Sequence, residues 1–203
     1  MTAWITMIED AKASPELKAT LERACGPSGR VDNVMRVHSL RPHTMMGHWE
    51  LYMSVLHNDG NELPMWFQEV IASWVSILNR CDYSLTNHFA NARHLIADDE
   101  RADAILAALK AGHPETAFET AHLAMLRYAE KLTLEPGAMV ESDLAAMREC
   151  GVDDGAILEV NQICGYFNYV NRLLNGLGVT LAGDVVGFYV SPGKAAGETT
   201  GET

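Results

Sequence analysis

Four residues in the first half of this chain are of types that carry out chemistry, and their spacing is regular: Glu69, Cys81, Ser84 and His88. On a helix that turns about 100° per residue, steps of three and four bring positions 81, 84 and 88 onto one narrow stripe. Ser84 and His88 then become neighbours, with Cys81 one turn nearer the N-terminus. A cysteine in the first turn of a helix meets orphan backbone N–H groups and the positive end of the helix dipole, both of which favour thiolate. Cys81 is therefore a candidate reactive thiol. His88 accepts or relays a proton near neutral pH, and Glu69, from the helix packed before it, is placed to orient the imidazole.

Positioning these groups requires helices, and helical signals recur along the whole sequence while alternating β-branched runs with hairpin turns are nearly absent. The chain reads as all-α. Ser14-Pro15-Glu16 is a helix start whose run ends at Cys25-Gly26-Pro27. Further helices are predicted over Asp32 to Leu40 and Pro42 to Leu56, followed by a loop at His57-Asn58-Asp59-Gly60-Asn61. The segment from Leu63-Pro64 to about Asn79 is apolar on most of its circumference and so is predicted to be central. The motif helix starts at about Cys81. Ala102 to Ala111 follows, closed by Gly112, and Pro114 opens a helix that reaches Pro136-Gly137. Glu141 to Cys150 and Asp153 to Leu177 complete a bundle spanning 1–190, and the small, polar stretch 191–203 reads as a flexible tail.

Composition narrows the function. With 15 basic and 27 acidic residues the formal charge is −12, with no basic run to follow a phosphate backbone, so nucleic acid is not expected as a partner. No apolar stretch approaches the roughly 18 residues of a membrane span and no secretory start is visible, so a cytoplasmic protein without membrane contact is expected. The four cysteines, Cys25, Cys81, Cys150 and Cys164, form no Cys-x-x-Cys pair and are read as reduced thiols. His38, His43, His48 and His57 cluster in the first third without the spacing of a zinc hydrolase, so no metal is expected. His43, His48 and Trp49 are low-ranked candidates for lining a substrate pocket, as are Asn168 and Asn171 on the last long helix.

The frame Glu, eleven residues, Cys-x-x-Cys, three residues, His of the alkyl hydroperoxidase D-like and carboxymuconolactone decarboxylase families is matched here without insertion by Glu69, Cys81, Ser84 and His88. The phrases Asn79-Arg80-Cys81-Asp82-Tyr83-Ser84, Tyr128-Ala129-Glu130-Lys131-Leu132 and Tyr166-Phe167-Asn168-Tyr169-Val170-Asn171 are similar to the peroxidase-related branch, and the resemblance covers about 30 to 190. It implies an alkyl hydroperoxidase D-like helical bundle that associates as trimers or hexamers, and Trp4, Trp49, Trp66, Trp74 and 10 methionines supply apolar area for such contacts.

In peroxidase-type members the second cysteine attacks peroxide and the first closes the disulfide; here the attacking position holds Ser84, whose hydroxyl is scarcely ionised and forms no disulfide. Two activities follow from the resemblance. One is a thiol oxidoreductase in which Cys81 works with Glu69 and His88 on a peroxide, resolved by Cys150, Cys164 or an external thiol. The other is cofactor-free acid–base chemistry of the carboxymuconolactone decarboxylase type on a carboxylic acid or lactone, with His88 and Glu69 moving the proton and Ser84 binding a carbonyl or carboxylate. A third reading is a helical assembly protein that keeps the motif as core.

Overall fold

A computed structural model describes residues 2–25 and 29–189. Among these residues all regular structure is helical, in the order α1 (Pro15–Arg23), α2 (Asn33–Arg36), α3 (Pro42–Leu56), α4 (Met65–Leu78), α5 (Asp82–Ile96), α6 (Asp99–Ala111), α7 (Thr120–Leu134), α8 (Ser142–Glu149) and α9 (Asp154–Leu177). No helix among them is long and apolar enough to cross a membrane.

The helix ends follow local chemistry. Ser14 accepts from the Leu17 amide, Asp98 from Arg101 and Asp153 from Ala156, each satisfying an orphan donor in a first turn. The last turn of α9 ends on Gly178 at φ 59, where a Cβ would lie 2.2 Å from the Trp4 ring. Only glycine allows both the left-handed backbone and the approach of that indole. The Trp4 amide donates to the Leu177 carbonyl at 2.7 Å, which ties the N-terminal segment to the end of α9.

α4 is the axis of the bundle. From Phe67 to Ser76 every residue is buried, because α5, α7 and α9 pack around it and leave no face for solvent. Its apolar groups join those of α5, α7 and α9 in the main core, and a smaller cluster of Leu17, Leu21, Met35 and Met45 seats α1 against α3. α4 and α5 form an antiparallel hairpin whose turn runs through Asn79 and Arg80, the latter at φ 53. That short turn places Glu69 across from His88.

Three expected elements differ. The helix predicted to open at Pro114 is a single 3-10 turn, Pro114–Thr116, and α7 begins only at Thr120. The break lets Phe118 fold inward onto Phe67 and His122, and its burial outweighs a longer helix. The helix predicted over Asp32 to Leu40 shrinks to α2 followed by turns; its start is anchored by the Asn33 side chain, which donates to the carbonyls of Thr180 and Ala182, and by the Asn33 backbone N–H, which donates to Asp184. The first helix stops at Arg23, before the expected glycine–proline break; Gly26, Pro27 and the stretch 191–203 lie outside the described residues.

Candidate active site

Glu69 is fully buried on α4, and both its oxygens are used. The Oε2 atom lies 2.6 Å from His88 Nδ1, and Oε1 accepts from the Asn91 amide at 3.1 Å. Asn91 accepts in turn from the Phe188 backbone amide at 2.6 Å, and Asn87 accepts from the Gly187 amide at 3.1 Å. The segment after α9 thus passes over the α5 face and is tied down at two points. His88 stands edge-on to the Phe167 ring with centroids 4.5 Å apart, and 13% of its side chain remains exposed. Donation from Nδ1 to the carboxyl oxygen sets the tautomer with the lone pair on Nε2, which has no protein partner among the described residues.

His88 opens onto a cavity of about 80 Å³, enough for several waters. Its walls are Trp49 and Tyr52 from α3, Ser84 and His88 from α5, Tyr166 from α9, and Phe188 from the overlying segment. Aromatic rings make up much of the wall; the polar groups come from α5 and also from Arg30 and Asp32 beside α2, where burial and the Asp184 charge push the Asp32 carboxyl up to about 6. Ser84 is held from below: Ser76 Oγ lies 2.8 Å from Ser84 Oγ and 2.7 Å from the Ala72 carbonyl, and Asn171 donates to Ser76. A hydroxyl has one hydrogen, so with Ser76 bonded to Ala72 the Ser84 hydrogen goes to Ser76, and the Ser84 lone pairs are left for the cavity.

Cys81 is placed differently from its sequence expectation. It is the residue before the first turn of α5, with φ −105 and ψ 90, so the 100° step that joins 84 to 88 does not extend back to 81. Its side chain is buried in the core and does not line the cavity. Burial pushes the thiol pKa up and the Asp82 charge adds to this, while the Ser84 backbone N–H acts the other way. The expected thiolate-favouring first turn is therefore overridden by desolvation. All four cysteines are free. Cys164, offered as a resolving thiol, is buried and held by Thr133 at 3.3 Å and by the Ala129 carbonyl at 3.5 Å; Cys150 is exposed at the end of α8. Titration of the native protein with an aromatic disulfide reagent is expected to consume two thiols, Cys25 and Cys150, at once and the other two only after unfolding. A third fast thiol that disappears in Cys81→Ala would place Cys81 on an open surface.

The low-ranked pocket candidates divide. Trp49 lines the cavity. His43 is exposed on the first turn of α3, half a turn round the helix from Tyr52, and stays outside. His48 is buried one layer behind the cavity, bonded to Tyr166 Oη at 2.9 Å. The cavity face of α9 is Tyr166, Val170 and Leu174, a run of four-residue steps, and from its centre at Val170 Asn168 and Asn171 point about 160° and 100° away. Asn168 bonds Asn79, Thr133 and the Cys164 carbonyl and ties helices together; Asn171 supports Ser76. Asn91, Tyr52, Tyr166 and Phe188 escaped the sequence reading. For Asn91 the signal was present, since 84, 88 and 91 continue one helical stripe.

No protein-family profile matches the chain, and no curated protein does. Solved structures do. An alkylhydroperoxidase D core protein of the peroxidase-related type from Ralstonia eutropha superposes with a TM-score of 0.76 at 22% identity, over 89% of this chain and 93% of that one. A peroxidase-related protein from a Silicibacter species gives 0.75 at 22% identity over 88% and 91%. The debrominase Bmp8 in complex with 2,3,4-tribromopyrrole gives 0.71 at 14% identity over 89% and 92%. The likeness is one of architecture: the chain has the all-helical alkylhydroperoxidase D-like fold.

Proposed function

We propose that this chain is a cofactor-free acid–base enzyme acting on a small, largely apolar molecule, with His88 as the group that takes and returns a proton. One observation carries this reading: the His88 imidazole is fixed through Nδ1 at 2.6 Å to a fully buried carboxyl group while its other nitrogen is left for an aromatic-walled cavity. Glu69 orients the ring and stabilises the imidazolium formed when Nε2 accepts a proton. Ser84 offers lone pairs, and once its hydrogen is released from Ser76 it donates to a substrate oxygen. An unsaturated lactone or carboxylic acid of compact, planar shape suits these walls, and the debrominase of the same fold is known with a small planar heterocycle bound. Self-association as a trimer or hexamer belongs to the same proposal.

The thiol oxidoreductase reading has in its favour the fold shared with peroxidase-related proteins. Against it, the thiol in the motif is buried away from the cavity and its ionisation is disfavoured. The two readings separate in one assay. A panel of unsaturated lactones and carboxylic acids is incubated with enzyme in deuterium oxide, and deuterium incorporation and loss of carboxylate are followed by proton NMR; alkyl hydroperoxides with a dithiol donor form the second panel. Turnover on the first panel, retained within about twofold in Cys81→Ala, is expected. Dithiol-dependent consumption of hydroperoxide by the wild type, abolished in Cys81→Ala, would overturn the proposal.

A further inference from the structure

A second set of proton-bearing groups, carried by α9 and α3, reaches the same cavity. Tyr166 lines the cavity from α9, and its Oη lies 2.9 Å from His48 Nε2. His48 Nδ1 lies 3.0 Å from His38 Nε2, and His38 Nδ1 lies 2.8 Å from Thr44 Oγ1. Thr44 is exposed, whereas Tyr166, His48 and His38 are buried. Four groups therefore span from the cavity wall to the surface with every link at hydrogen-bond length.

The direction of the bonds can be worked out from the surface inward. Thr44 Oγ1 lies 2.8 Å from the Arg41 carbonyl, which has no hydrogen to give, so Thr44 donates there and accepts from His38 Nδ1–H. His38 Nε2 is then bare and accepts from His48 Nδ1–H, which leaves His48 Nε2 to accept from the Tyr166 hydroxyl. Burial disfavours imidazolium at both rings, lowering His38 and taking His48 down to about 3, with the neighbouring His38 charge adding to the effect. Each ring therefore holds one hydrogen and one lone pair, which is the condition for passing a proton through rather than storing it.

We propose that Tyr166, His48, His38 and Thr44 form a proton relay between the cavity and bulk water, and that Tyr166 is a second proton-handling residue of the site beside His88. The proposal rests on the acid–base reading above. A proton from the substrate binds Tyr166 Oη as the tyrosine's own hydrogen passes to His48 Nε2. The His48 Nδ1 hydrogen moves to His38 Nε2, and the His38 Nδ1 hydrogen leaves by Thr44 to water. No charge remains on the chain. The rings now carry hydrogen on Nε2, and Thr44 turns its one hydrogen from the Arg41 carbonyl to the bare His38 Nδ1; the reversed chain conducts inward, so one removal and one return of a proton restore the starting state.

The test has two arms. The first needs no substrate: nitrogen-15 NMR of the wild-type imidazoles is expected to find His38 and His48 neutral at pH 7 with hydrogen on Nδ1 and bare Nε2. An imidazolium at either position, or hydrogen on both facing nitrogens, overturns the relay. The second arm uses the exchange assay. His38→Ala and Tyr166→Phe are each expected to slow turnover about tenfold or more, and added imidazole is expected to restore most of the rate in His38→Ala, where it can occupy the vacated place near the surface. Loss without rescue is a packing defect and counts against the relay, as does a wild-type rate in His38→Ala. The two proposals fail separately. Turnover that survives His88→Gln sinks the acid–base reading; turnover that stops in His88→Gln but runs unslowed in His38→Ala sinks the relay alone.

Discussion

Replacing His88 by glutamine is expected to reduce deuterium exchange by about 10² to 10⁴, the range that one positioned acid–base group supplies. Glu69→Gln should fall in the same range, since a neutral amide still contacts the ring but no longer stabilises imidazolium. The double variant should be hardly slower than either single one, because the two side chains act as one unit. Their effects on stability are expected to differ in sign of asymmetry. Glu69 is fully buried, and its oxygens bond only His88 and Asn91 among the described residues. Removing His88 leaves a carboxyl group in the core short of its main partner, a loss of about 3 kcal/mol; Glu69→Gln leaves a neutral amide against a partly exposed ring that can change tautomer, a smaller loss. Urea unfolding should therefore rank His88→Gln as the weakest protein, with Glu69→Gln and the double variant near wild type. Equal destabilisation by the two single changes would mean that the pair is ordinary packing, and unchanged exchange in His88→Gln would remove the base from the mechanism.

Much of this site was legible because it lies on two helices joined by a tight turn. Within α5 the periodicity alone makes neighbours of Ser84 and His88, and the apolar circumference of Phe67 to Ser76 marks α4 as the central helix. The placement of Glu69 opposite His88 needed the hairpin, and the family frame supplied that. For Cys81 helical angles alone do not give the setting, because it lies one residue before the helix, at a position with extended backbone whose burial is set by the core. Residue type alone favours Asn168 and Asn171, yet the stripe of Tyr166, Val170 and Leu174 decides which face of α9 meets the cavity. The least legible part was the contribution of distant segments. His48 reaches Tyr166 across 118 positions and Phe188 reaches Asn91 across 97, and no local pattern reports such pairings. The same limit explains the Pro114 region, where proline signals a helix start but the tertiary pull on Phe118 decides where α7 begins.

The sharpest test of how this fold divides its chemistry is Ser84→Cys. Position 84 lines the cavity in the first turn of α5, four residues before His88 and 2.8 Å from the Ser76 hydroxyl. A thiol there gains the first-turn N–H groups and a neighbouring imidazole, the setting that favours thiolate, and stays in contact with the cavity as Cys81 does not. Residues three apart at a helix start have Cα atoms about 5–6 Å from one another, within the span of a disulfide. The variant is expected to reduce alkyl hydroperoxides with a dithiol donor on the order of a hundredfold faster than wild type. In the chemistry, the new thiolate takes the terminal peroxide oxygen to give a sulfenic acid and an alcohol, then Cys81 displaces water and closes a disulfide that the dithiol reopens. Without reductant, one equivalent of hydroperoxide should yield the intramolecular disulfide by mass spectrometry, and adding Cys81→Ala should leave sulfenic acid instead. Adding His88→Gln should slow the attack, since the proton for the leaving alkoxide comes from that imidazole. An inert thiol in Ser84→Cys would show that the hydroxyl of residue 84 does not face the reacting volume, and the role given to Ser84 in holding a substrate oxygen would lose its geometry. Gain of peroxidase activity would instead show that one oxygen-for-sulfur exchange separates the two chemistries, with the Glu69–His88 pair serving either.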